Sequence, residues 1–176
     1  MKKITFVLVA AFFALSLNLN AQSAVDKIID KYSGSAGFTS VTMNKYMFEM
    51  IGRMDTSEDG EELTNTLSKL ESIRILAMDS VSNPGVNLYQ LTMKALNGKD
   101  YEELMTVQEK GKNVKFLVRE KGDIIVELII VAGGPREDNA LIVIKGEIDL
   151  ASIGSLSKNM HINGLDQLDK LKDRKK

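Results

Sequence analysis

One short acidic segment has the residue types and spacing of a metal-binding loop. Residues 55–60, DTSEDG, place oxygen-bearing side chains at Asp55, Ser57 and Asp59 and glycine at the sixth position, as in an EF-hand calcium loop. The twelfth position holds Thr66, where that loop needs a bidentate glutamate. We therefore expect a solvated turn in which Asp59 caps the next helix. Weak calcium binding by Asp55, Ser57 and Asp59 is the alternative.

The other reactive residue types give little support to catalysis. The chain has one histidine, His161, and no cysteine. A single imidazole cannot build a multi-histidine zinc site. No G-x-S-x-G segment supplies the strained serine of a hydrolase triad. We therefore predict no catalytic residue and no cofactor, and we expect a protein that is not an enzyme.

Carboxylate pairs offer the remaining route to acid–base chemistry. Asp123 and Glu127 are close in the sequence, as are Glu102 and Glu103. Adjacent residues on a strand point to opposite faces, which separates Glu102 from Glu103 if that segment is extended. The spacing of Asp123 and Glu127 does not distinguish them from solvated charges near a turn, so we expect no catalytic pair.

The methionines raise the question of an adaptable binding surface. Met43, Met47, Met50 and Met54 recur at helical or near-helical spacing. Methionine fills irregular cores as well as binding surfaces that accept several partners. Of these two interpretations, we favour the core.

The first 21 residues have the pattern of a secretory signal peptide. Lys2 and Lys3 precede an apolar run over residues 4–17, and Ala21 is the small residue at the exit. The run is shorter than the roughly 20 residues that span a bilayer, and a lipid anchor would need a cysteine. We expect an exported protein, periplasmic or secreted, with no lipid anchor and no transmembrane segment after signal removal.

Charge and size bound the mature chain. Removal of 21 residues from 176 leaves 155, about one domain. Loss of Lys2 and Lys3 from the 23 basic residues leaves 21 against 24 acidic residues, which gives no electrostatic reason to expect nucleic acid. The chain has no tryptophan to stack on single strands. We therefore predict no nucleic-acid partner.

Residues 22–37 are predicted to form a short amphipathic helix followed by a flexible, glycine-containing joint. Its apolar residues fall at i, i+3, i+4 and i+7, and they are Val25, Ile28, Ile29 and Tyr32. Two alternatives stay open for this stripe. It contacts the groove of a partner, or it packs on its own domain.

A single α+β domain is predicted over residues 38–160, followed by a charged C-terminal tail over residues 161–176. Helical patterns come early, and from Tyr101 onward the hydrophobic period is two. Four consecutive strands are predicted at residues 103–107, 114–119, 124–132 and 140–148. We expect a two-layer sandwich, with helices packed on one face of a mostly antiparallel sheet and a C-terminal four-strand meander.

The third of these strands is almost wholly apolar. From residue 124 to residue 131 only Glu127 interrupts the apolar run. Such a run is typical of a central strand that is covered on both faces for part of its length.

Four phrases in this domain resemble, in order, a known family. They are SVTMNKYMF (residues 40–48), LESIRIL (70–76), YEELM (101–105) and GEIDL (146–150). The family comprises small exported proteins of Bacteroidetes catalogued as domain of unknown function family 4252, and the resemblance covers about residues 38–160. It implies no accepted activity and no catalytic residues. Many members look like lipoproteins, from which this chain departs by lacking the lipid-bearing cysteine.

We therefore expect an exported, non-enzymatic domain that acts through contacts with an unidentified protein of the cell envelope. The alternative is a carrier of a small lipid or metabolite, with a pocket between the helices and the sheet. Neither role requires a cofactor.

Overall fold

The computed structural model of the chain describes residues 23–54, 60–109, 111–134 and 139–150, without the side chains of residues 60–63. Within these ranges it has four helices and six strands. In chain order they are α1 (Ala24–Tyr32), β1 (Phe38–Asn44), α2 (Lys45–Met54), α3 (Gly60–Ser68), β2 (Leu70–Met78), α4 (Leu88–Leu96), β3 (Glu102–Glu109), β4 (Lys112–Lys121), β5 (Ile124–Gly133) and β6 (Asn139–Ile148).

All six strands belong to one antiparallel sheet in the order β1-β2-β6-β5-β4-β3. Strands β3 to β6 follow one another in the sequence and lie side by side in the same order in the sheet. This arrangement confirms the predicted α+β class and the C-terminal four-strand meander. Strands β1 and β3 are the two edges of the sheet.

Helices cover both faces of the sheet, whereas the sequence pattern led us to expect one covered face. Along β5, Leu128 and Ile129 point to opposite faces and are both fully buried. Helices α2 and α3 pack on the face that contains Leu128, here called the α2–α3 face. Helices α1 and α4 pack on the face that contains Ile129, the α1–α4 face. A sheet with apolar side chains on both faces needs two covers, so it is the middle of three layers.

Two asparagines set the helix starts by accepting backbone N–H groups. Asn44 Oδ1 accepts the N–H of Met47 at 3.1 Å, so Asn44 caps α2. The cap of α4 is Asn87, whose Oδ1 accepts the N–H of Gln90 at 2.9 Å. Asn83, four residues earlier, does not cap the helix, because its side chain donates to the carbonyl oxygen of Ala36 at 3.1 Å.

Helix α1 packs on its own domain. Val25 and Ile29 are fully buried among residues of the sheet and of α4. Tyr32 stacks on Phe38 with ring centroids 4.8 Å apart. Burial of each aliphatic side chain stabilises the fold by about 1.5–3 kcal/mol. All four residues of the stripe pack in or against the core of the domain, and they are Val25, Ile28, Ile29 and Tyr32.

Several expectations fall on residues outside the described ranges. These are the signal peptide over residues 1–21, the weak calcium candidate formed by Asp55, Ser57 and Asp59, His161, and the charged tail over residues 161–176.

Gly146 occupies a position in β6 that excludes a side chain. It pairs with Leu70 where the register between β2 and β6 shifts, and its φ is 131°. A Cβ atom there would lie 2.4 Å from the carbonyl oxygen of Lys69. We expect Gly146→Ala to lower the free energy of unfolding by about 3 kcal/mol, because backbone strain and the clash add. Urea denaturation measures this loss.

The matched control is Gly85→Ala, since a Cβ atom there would meet nothing within 4 Å. We expect that control to change the free energy of unfolding by less than about 1 kcal/mol. Equal unfolding midpoints for the two variants would contradict the strained bulge.

Candidate functional site

A row of alternating charges crosses the α1–α4 face near one end of the sheet. Strand pairing places Arg119 of β4 opposite Glu127 of β5, and Glu127 opposite Lys145 of β6. The register shifts directly beside this row, after Arg119 in β4 and before Glu127 in β5. Such bulges re-aim side chains and are common next to functional sites, so this row is the first place to look for chemistry.

Glu127 is fully buried, and one of its two oxygens is saturated with hydrogen bonds. Its Oε2 accepts from the Tyr101 hydroxyl at 2.7 Å. It also accepts from Arg119 Nε at 3.0 Å and Nη2 at 2.8 Å. Its Oε1 has no hydrogen-bond partner, and the nearest cation is Lys145 Nζ at 3.9 Å. Three donors and two cations thus compensate the buried carboxylate.

The row continues onto helix α1 through Asp26. Lys145 Nζ donates to Asp26 Oδ2, and Arg74 Nη1 donates to Asp26 Oδ1 at 3.1 Å. Arg74 Nη2 donates in turn to Asp30. The side chain of Asp26 is only 6% exposed, whereas that of Asp30 is 46% exposed. Three acids therefore alternate with three bases, and their formal charges cancel.

The pKa directions of these groups follow from burial and from their hydrogen bonds. Burial, helped by the hydrogen bond to Glu127, raises the pKa of Tyr101 to about 12, so its hydroxyl stays a donor at neutral pH. The hydrogen bond to Glu127 raises the pKa of Arg119. Burial alone would raise the pKa of Asp26. The hydrogen bonds from Lys145, Arg74 and Ser23 outweigh burial and lower that pKa below its usual value near 3.8.

This geometry serves to attach α1 to the sheet. Asp123 is exposed in the turn between β4 and β5, while Glu127 is buried among other partners. Glu103 is engaged by Lys115 and by Thr106, whose hydroxyl donates at 2.5 Å. Among the described residues, no three histidine, cysteine, aspartate or glutamate side chains gather as metal ligands would.

Two clefts lie at the opposite end of the sheet. One, of about 530 Å³, is lined by the start of β1 and the end of β2, with Asp79 and Lys112 among its polar groups. The other, of about 440 Å³, is lined mainly by the segment between β2 and α4. A lipid or metabolite carrier was expected to hold its ligand between the helices and the sheet. The residues that line these two clefts come mainly from strand ends and from the segment between β2 and α4.

A third feature is an exposed apolar surface on α2 and β1. Four side chains of α2 and one of β1 form it, and we call it the methionine surface: Val41, Tyr46, Met47, Met50 and Met54, exposed by 43%, 66%, 46%, 41% and 77%. The sequence led us to expect Met43, Met47, Met50 and Met54 in the core. That expectation is wrong for the last three of these methionines, which are exposed. Helix α2 buries a different stripe, which contains Phe48 and Ile51. Only Met43 packs against the core.

Helix α2 packs closely on α3 at Gly52. The Thr64 hydroxyl donates to the carbonyl oxygen of Gly52 at 3.1 Å. A Cβ atom at Gly52 would lie 3.0 Å from Thr64 Cγ2, so the glycine permits this close approach. The contact therefore fixes how closely α2 and α3 approach each other. Because it joins two different helices, spacing within α2 gave no signal of it.

Among the described residues, no helix has the length and apolar character that crossing a membrane requires.

Comparison with known proteins gives one match. Residues 32–156 match a family model described as Domain of unknown function (DUF4252). No curated protein and no solved structure matches the chain. The matched range includes every strand of the sheet and the four phrases that suggested this family.

The charge row predicts a stability difference between two aspartates of the same helix. We expect Asp26→Ala to lower the free energy of unfolding by about 3 kcal/mol, because it leaves Lys145 and Arg74 without their buried partner. Asp30→Ala is the matched control and should cost less than about 1 kcal/mol, since its pair with Arg74 is half exposed. Urea denaturation of both variants measures the difference. Equal losses would show that Asp26 does not anchor α1.

The lowered pKa of Asp26 predicts a pH dependence. A carboxyl whose pKa is lower in the folded than in the unfolded state stabilises the fold above its unfolded pKa. That stabilisation is lost as the pH falls below about 4 and through the folded pKa. We therefore expect Asp26→Asn to destabilise the protein at pH 7, and the gap from the original chain to shrink as the pH approaches 2. Urea midpoints across this range measure the gap, and a constant gap would contradict the assignment.

Proposed function

We propose that this chain, which belongs to the family described as Domain of unknown function (DUF4252), is a non-enzymatic domain that works through protein–protein contacts. The observation that carries this proposal is the methionine surface. Its side chains are apolar and exposed, whereas Phe48 on the same helix is only 2% exposed.

The composition of this surface suits protein binding. Contiguous exposed apolar patches on soluble domains mark interaction sites. Methionine side chains are flexible and polarisable, so they adapt to the shape of a partner. The charged residues Lys45, Glu49 and Arg53 are exposed on the same helix and supply a polar rim. A protein partner fits an apolar centre with such a rim.

The buried charge row supports the non-enzymatic part of the proposal. Glu127 is fully buried and lines neither of the two clefts. Its Oε2 already accepts three hydrogen bonds. A general acid or base must reach the proton that it transfers. Glu127 contributes to packing and charge balance. It helps to hold α1 through Lys145, which contacts both Glu127 and Asp26.

The cellular setting is the second part of the proposal. The lysine pair, the apolar run over residues 4–17 and Ala21 support export through a cleaved signal. An exported domain with an apolar surface meets its partner in the cell envelope, in the periplasm or outside the cell.

A photoreactive amino acid at Met50 tests the proposed contact. We expect irradiation of living cells to attach residue 50 to one reproducible envelope protein or to another copy of this chain. The matched control is the same substitution at Ile124, which is 47% exposed against 41% for Met50 but lies in the β4–β5 hairpin. Mass spectrometry identifies the products. Equal adducts at both positions, or none at residue 50, would refute a contact at the methionine surface.

A further inference from the structure

We propose that β1 is the edge at which two copies of this chain pair, so that one sheet continues into the other across a two-fold axis. This inference rests on the proposed function, because it names the partner that the methionine surface and the adjoining strand would take.

The two edges of the sheet are built differently. Edge strand β3 carries Glu102, Glu103 and Glu109, and its pairing with β4 contains a register shift. Inserted charges and bulges are the usual protection of an edge against another strand. Edge strand β1 has the sequence FTSVTMN, without a charge or proline, and pairs with β2 in unbroken register from Phe38 to Asn44. Only the β1 edge is left without these protections.

The hydrogen bonds at the start of β1 show which backbone groups face outward. The N–H of Asp79 donates to the carbonyl oxygen of Gly37 at 3.0 Å, so these two residues form a hydrogen-bonded pair across the ladder. The N–H of Phe38 donates to Ser35 instead of β2. Hydrogen-bonded and non-hydrogen-bonded pairs alternate along an antiparallel ladder. The backbone groups of Ser40 and Thr42 therefore face away from β2.

One register aligns all seven residues of β1 with those of a second copy. With the two-fold axis at Val41, Ser40 lies opposite Thr42 of the second copy, and these outward-facing residues exchange the hydrogen bonds. Phe38 then lies opposite Asn44, where only the Phe38 carbonyl oxygen can bond across the interface because its N–H donates to Ser35. The two Val41 residues meet as a non-hydrogen-bonded pair with a Cα–Cα distance of about 4.5 Å. Pairing of β1 with itself brings no like charges together.

The methionine surface adjoins this edge. Val41 points to the α2–α3 face, as Met43 does two residues later. A two-fold axis at Val41 therefore places the α2 helices of both copies on the same face, beside the joined strands. Pairing of two short strands falls well below the roughly 800 Å² per partner of a stable interface. The exposed methionines of the two helices supply the additional apolar area.

A single cysteine tests the register, because the chain has none of its own. A Cα–Cα distance of about 4.5 Å lies within the range that a disulfide bridges. We expect mild oxidation of Val41→Cys to give a disulfide-linked dimer. The matched control is Val107→Cys on the opposite edge, 36% exposed against 43% for Val41; it should stay monomeric under the same oxidation. Each variant is purified from its own host at full length after any natural processing. Non-reducing electrophoresis then measures both results.

A charge on the edge provides the second, non-covalent test. We expect Ser40→Lys to weaken dimerisation by about tenfold or more, because lysine on an edge strand opposes pairing. The control Gln108→Lys places the same charge on β3 and should leave the dimer unchanged. Sedimentation velocity over a wide range of protein concentration measures both, and circular dichroism checks that each variant is folded.

The outcomes separate this inference from the proposed function. A monomer at every concentration with no Val41→Cys dimer, or a dimer that Ser40→Lys does not weaken, would overturn pairing at β1. If residue 50 still crosslinked to a different envelope protein, the proposed function would stand and only the partner would be wrong. If residue 50 gave no adduct in cells and the chain stayed monomeric, both proposals would fall.

Discussion

The fold depends on one buried charge in the middle of its sheet. Glu127 is fully buried on β5, where an uncompensated carboxylate would cost several kcal/mol. Its compensation requires Arg119 and Lys145 on the two neighbouring strands, and Lys145 in turn requires Asp26 on α1. The need to balance this one carboxylate therefore links the register of three strands to the docking of a helix that is far away in the sequence. Apolar contacts supply most of the stability. The charge row restricts which strand register and which position of α1 are compatible with those contacts.

The sequence predicts the meander well because its signals are local. A period of two and tight turns at Gly111 and Gly122, which have φ of 88° and 65°, locate β3 to β5 without knowledge of the rest. Glu127 was visible as the one interruption of the apolar run, but its partners Arg119 and Lys145 lie on the neighbouring strands. The docking of α1 was not predictable in this way, because its ion pair with Lys145 joins residues 119 positions apart. The second covered face had a signal in the continuous apolar run of β5, but the helical patterns did not say which helix covers which face.

The methionine surface shows the limit of helical spacing as a guide to burial. Phe48 and Ile51 define one stripe of α2, while Met47, Met50 and Met54 define another at the same spacing. Both stripes are apolar, so periodicity alone cannot choose between them. Tertiary contacts distinguish the two stripes: Phe48 and Ile51 pack in the core cluster that also contains Leu67 of α3. Methionine was assigned to the core because it often fills gaps there, and that prior gave the wrong stripe.

The contrast between the two sheet edges connects the interior of this domain to its surface. Along β3, Glu103 accepts a hydrogen bond from Lys115 of β4. The charges of that edge therefore protect it from further pairing and also bind the neighbouring strand. Charges are equally plentiful elsewhere in the chain, with 23 basic and 24 acidic residues, yet the seven residues of β1 contain none. An edge that is open, regular and beside exposed methionines carries a risk of uncontrolled association. A partner that covers strand and helix together removes that risk, and a second copy does so with a closed two-fold interface that leaves no further open edge of this kind. The same features that make β1 a liability for an isolated domain therefore make it the natural site of a specific contact.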